Sequence, residues 1–172
     1  RYDPAGKLLG RIGQPDKSRN IRGFVIPSPY FDVAMAADGL LRVVNPGYHH
    51  IEAYTVEGDL EFHWGKASFG IEGFCGCCNP AHFAILPDGR FVTAEKGMPR
   101  VKVYGADGKF EAVVAPPETF VSAASTKLEE TRSDHKLPVL DVAADSRGRV
   151  LVLDPGAGRV RIFEPVAGKE GK

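Results

Sequence analysis

Residues 82–104 read HFAILPDGRFVTAEKGMPRVKVY. An apolar run, a Pro-Asp-Gly turn, a second apolar run, a short loop and a strand-like Arg-Val-Lys-Val-Tyr follow one another. Gly89 supplies the positive φ that such a tight turn needs. The alternation over 100–104 predicts a strand with one buried face. The same grammar recurs in DVAMAADGLLRVVNPGYHHIEAY over 32–54 and in DVAADSRGRVLVLDPGAGRVRIF over 141–163. The turn glycines are Gly39, Gly89 and Gly148, and the closing aromatics are Tyr54, Tyr104 and Phe163. A strand-only repeat of this period predicts an all-β array, of which a propeller is the usual member.

Outward from these copies, Gly105-Ala106-Asp107-Gly108 predicts a turn and residues 110–115 a fourth strand. The first copy adds a fourth strand at Leu60–Trp64, whereas the third ends in a polar tail. Tyr2 to Lys7 and Leu8–Ile12 read as the end of a third strand, its turn and a fourth strand. The expectation is therefore a β-propeller arc of about three and a half four-stranded blades spanning residues 1–172. It holds the end of an upstream blade at 1–13, blades at 32–65 and 82–115, and a blade lacking its outer strand at 139–165. Residues 14–31 and 116–138 are expected to be solvated loops. Val33, Ala34, Phe83, Ala84, Val142 and Ala143 should line the innermost strands, with Ala143 closely packed.

Composition narrows the partners. The chain has 172 residues, of which 43% are hydrophobic, enough for a real core. Lys plus Arg is 22 and Asp plus Glu is 22. With no basic surplus to neutralise phosphates, nucleic acid is not expected as a partner. No apolar run approaches the ~20 residues that span a bilayer as a helix. The chain opens at Arg1 inside a strand-turn-strand unit, so a processed or truncated upstream segment is expected.

Two sets of residues carry chemistry. Asp32, His82 and Asp141 occupy one position in the three copies, just before or at the first strand. Equivalent positions of successive blades converge at a channel mouth. Two carboxylates and an imidazole there would bind a divalent metal or an anchored water. The other use of an Asp in this place is to cap a turn.

The second set is Cys75, Cys77 and Cys78, followed by His82. Cys75 and Cys78 form a C-x-x-C pair, able to close a redox disulfide or to offer two thiolates. Cys77 and Cys78 are neighbours and could form a vicinal disulfide. Three sulfurs and an imidazole this close would suit zinc, Cu(I) or an iron–sulfur centre. A secreted or periplasmic location would favour the disulfide, and a reducing one the thiolates. His50 reads as a repeat-variant loop residue and His63 as a surface residue of an outer strand. No serine triad, phosphate-binding loop or H-E-x-x-H is present.

The strand grammar resembles the NHL-repeat β-propellers. The residues that carry it are Asp141–Asp154 with Gly158–Phe163, and Leu86–Thr93 with Arg100–Gly108. The resemblance covers most of the chain except its two long loops. It implies a six-bladed ring, with the missing blades elsewhere in the polypeptide or in a second copy. It also implies a range of functions: protein-binding modules, RNA-binding modules and a few metal-dependent lyases. The expected functions are therefore a scaffold docking another protein or further blades, a metal or redox module at the cysteines, and a channel-metal lyase or hydrolase.

Overall fold

The computed structural model describes residues 1–120 and 139–165. Among the described residues, eleven strands build three antiparallel sheets. The first holds β1 (Val33–Met35), β2 (Leu41–Asn45), β3 (His50–Tyr54) and β4 (Leu60–Trp64) in chain order. The second holds β5 (His82–Ile85), β6 (Phe91–Glu95), β7 (Arg100–Tyr104) and β8 (Phe110–Ala115), again in order. The third holds β9 (Asp141–Ala144), β10 (Val150–Asp154) and β11 (Arg159–Phe163). A 3₁₀ turn, Pro117–Thr119, accompanies the strands. Among the described residues no helix is long and apolar enough to cross a membrane.

The repeat in the sequence is a repeat in hydrogen bonding. Gly39, Gly89 and Gly148 have φ of +81°, +86° and +75°. Their amides donate to the carbonyls of Ala36, Leu86 and Asp145. The second and third strands pair Asn45 with His50, Glu95 with Arg100 and Asp154 with Arg159. Their far ends pair Leu41 with Tyr54, Phe91 with Tyr104 and Val150 with Phe163. Identical registers place equivalent residues on equivalent faces.

The middle sheet is buried on both sides. One face meets the third sheet through Val92, Val101, Val103, Leu140, Val142 and Val152. The other meets the first sheet through Val44, Ile51, Trp64, Phe74, Phe91 and Tyr104. All five residues of β7 are therefore buried, not the alternate ones that its polar pattern predicts. The polar positions survive burial because Arg100 and Lys102 both pair with Glu95, at 2.6 and 2.9 Å. Lys102 also donates to the carbonyls of Gly73 and Ile71. A buried cation is tolerable where a counter-charge and acceptors surround it.

Three local expectations change. Residues 1–13 form a turn with one isolated bridge, Tyr2 to Leu8, and no strand is formed by Leu8–Ile12. The segment 14–31 is not simply solvated: Ile21 packs with Val43 and Tyr54 on the outer face of the first sheet, with Phe24 against them. Ala143 is exposed, on the face of the third sheet that also leaves Leu153, Val160 and Ile162 open to solvent. Residues 121–138 of the second long loop and the tail from 166 lie outside the described residues.

Candidate metal centre

The three sheets meet along their first strands: β5 lies against both β1 and β9. That contact brings the repeat-equivalent residues together. One ligand atom each from Asp32, His82 and Asp141 all lie within 4.8 Å of one another. His82 Nδ1 is 3.6 Å from Asp32 Oδ2 and 3.7 Å from Asp141 Oδ1. The imidazole and Asp32 are largely covered, at 20% and 28% side-chain exposure, while Asp141 at 55% opens the group to solvent.

Each carboxylate is anchored by backbone. Asp32 Oδ1 accepts the Val33 amide at 2.8 Å, and its Oδ2 accepts the Phe83 amide at 3.0 Å. Asp141 Oδ1 accepts the Val142 amide at 2.8 Å. The turn-capping use of Asp and the gathering at one point therefore occur together, so capping fixes the direction of the group. Burial works to raise the Asp32 pKa, but hydrogen bonds from His82 and from the Phe83 and Val33 amides outweigh it and hold the carboxyl below its ordinary range. An ionised, oriented carboxylate is what a cation requires.

The spacing also suits a metal. Four ligands at ~2.1 Å around tetrahedral zinc stand about 3.4 Å apart. The two N···O separations exceed that by a few tenths of an ångström. Both carboxylates face Nδ1 of His82. Tyr30 closes one side, its ring edge-on to His82 at 5.8 Å. Lys96 Nζ stands 5.9 Å from the Tyr30 ring centre. Neither flanking residue stood out in the sequence. Tyr30 lies in a segment that carries no repeat, and Lys96 reads as an ordinary loop cation.

The cysteines do not join this group. Cys77 Sγ and Cys78 Sγ are 2.7 Å apart, with Cys77 exposed and Cys78 buried. Cys75 turns the other way, with Sγ 4.0 Å from Glu95 Oε2. Burial and then the Glu95 charge push its thiol pKa up. Burial also opposes ionisation of Cys78, but Cys77, the Lys96 ammonium and the Ser28 hydroxyl outweigh it and pull that thiol down. The expected unit of three sulfurs with His82 is thus divided between two environments. Among the described residues, the gathered set of three potential ligands is Asp32, His82 and Asp141. No disulfide joins any pair of cysteines, so neither the vicinal nor the C-x-x-C bridge is formed. Asn79 fixes the loop that carries them: its side chain donates to the carbonyls of Cys75 and Lys96 and accepts the Lys96 amide.

The chain matches no protein-family model, and no curated protein is similar to it.

Proposed function

We propose that the chain is an arc of an NHL-like β-propeller and that it binds a divalent cation at Asp32, His82 and Asp141. The observation that carries this reading is the convergence of one repeat position from three sheets within 4.8 Å. A surface pair of acids arises by chance far more readily than a three-sheet convergence with an imidazole at its centre. One nitrogen and two carboxylate oxygens favour zinc or manganese over calcium, which takes more oxygens. Three protein ligands leave positions open on the exposed Asp141 side, the arrangement of catalytic rather than structural zinc. A cation there would supply a polarised water or substrate oxygen.

Isothermal titration with Zn²⁺ and Mn²⁺ tests this. Binding at one ion per chain should be lost in His82→Ala and should persist when Cys75, Cys77 and Cys78 are all replaced by Ser. Absence of binding to the wild type, or binding lost in the cysteine variant and kept in His82→Ala, would overturn it.

A second reading has its own support. Leu153, Val160 and Ile162 are 45%, 55% and 54% exposed on one face of the third sheet. An outward apolar row on a sheet favours a scaffold that docks further blades of the propeller or another protein.

A further inference from the structure

On the far side of the first sheet from the middle one lies a cleft of about 520 Å³, within the range of small-molecule sites. Its walls include Asn20 and Arg22 from the segment before β1, Tyr48 from the turn before β3, His50 of β3 and His63 of β4. Four flat groups form a ladder along it. The Arg22 guanidinium lies 5.8 Å from the Tyr48 ring centre, Tyr48 stacks on His50 at 6.2 Å, and His50 stacks on His63 at 4.2 Å with 15° between the planes.

The floor is a fixed anion. Glu52 is buried and accepts hydrogen bonds from Tyr54 Oη at 2.7 Å and Asn45 Nδ2 at 3.0 Å, and His50 Nδ1 stands 3.8 Å from it. Those contacts outweigh the opposing effect of burial and hold its pKa below the ordinary range. Two buried donors already engage it. The donors on the walls are not committed. Among the described residues, no hydrogen bond or ion pair engages the side chains of Asn20, Arg22 or His63. Glu61, at the exposed rim, is the carboxylate that opposes them.

Two imidazoles stacked in parallel cannot chelate one metal, because their lone pairs lie in separate planes that do not converge. A cleft of unused donors with aromatic walls instead suits an acceptor-rich flat molecule. We propose that this cleft binds a small aromatic carboxylate, with its carboxylate on Arg22 and its ring along the Tyr48, His50 and His63 wall.

Protonation would strengthen the attraction. Burial, then the charges of His50 and Arg22, push the His63 pKa down, against the pull of Glu52. His63 is therefore neutral at pH 7 and gains charge only in acid. Affinity for an anion should rise as His63 gains its proton in acid.

Benzoate titrations read through the imidazole NMR signals of His50 and His63 test the proposal, with inorganic phosphate in parallel. A saturable shift is expected, with affinity greater at pH 5 than at pH 8. Arg22→Gln should weaken binding about tenfold or more, the value of a charge-assisted hydrogen bond. Glu61→Gln should tighten it, and His82→Ala should leave it unchanged, which separates this cleft from the metal centre. No saturable shift, an unchanged affinity in Arg22→Gln, or phosphate bound as tightly as benzoate would overturn the proposal.

Discussion

Oδ2 of Asp32 faces Nδ1 of His82 at 3.6 Å while accepting the Phe83 amide at 3.0 Å. One oxygen thus belongs both to the seam between the first two sheets and to the candidate cation site. Stability and ligand binding should therefore respond to the same carboxyl.

The pH dependence of that link has a definite sign. The folded-state pKa of Asp32 is depressed from 3.8, so its contribution is present above the unfolded value and is lost as pH falls through the lower folded one. Asp32→Asn should be less stable than the wild type near neutrality, and the gap should close as pH is lowered from about 4 toward the folded value. Urea melts at stepped pH values measure this. A gap that stays constant across that range would contradict the assignment.

The strand grammar was readable because alternation, turn glycines and aromatic ends are local signals, and each recurs at one register in all three sheets. The gathering of Asp32, His82 and Asp141 was readable for the same reason, since equivalent positions of a repeat are brought to equivalent places. The burial of Lys102 was not, because it depends on Glu95 across the strand pair and on carbonyls from residues 71 and 73. The division of the cysteines was not readable either. Their spacing fixes proximity along the chain, but Glu95 and Lys96 decide which way each sulfur turns. His50 and His63 sit on different strands, and only the Glu52–His63 cross-strand pairing brings their rings together.

The buried triad predicts an asymmetry between its members. Glu95→Ala would leave Arg100 and Lys102 buried without their anion and should cost about 3–5 kcal/mol. Lys102→Met keeps the Glu95–Arg100 pair, at 2.6 and 3.0 Å, and fills the space between Phe74 and Tyr104 with an apolar chain of similar length. It should cost about 1.5 kcal/mol or less. Denaturant midpoints decide, and equal losses would mean that the triad does not act as a charge-balanced unit.

Glycines of the same sign of φ should differ by their surroundings. A Cβ on Gly108 would stand 2.4 Å from Trp64 Cγ, whereas one on Gly148 would meet nothing within 4 Å. Both have positive φ, so both alanine variants bear the left-handed backbone penalty of roughly 1–2 kcal/mol. Gly108→Ala must in addition displace an indole that packs on Phe91 and Tyr104, adding about 1–3 kcal/mol. Thermal melts of the two variants should rank Gly108→Ala well below Gly148→Ala.

The divided cysteines predict an order of alkylation. The thiolate is the reactive species, so rate follows both access and pKa. Cys77 is exposed and should be modified first. Cys78 has a lowered pKa but is 1% exposed, so its reaction should wait on local opening of the loop that Asn79 clamps. Cys75 is half-buried with a raised pKa, so its rate should climb steeply between pH 7 and 9. Iodoacetamide labelling followed by peptide mass spectrometry gives all three rates. Asn79→Ala removes the hydrogen bonds to Cys75 and Lys96 and should speed Cys78 selectively. Equal rates at the three positions would mean that the cysteines share one environment, and the separation of Cys75 from the Cys77–Cys78 pair would fall.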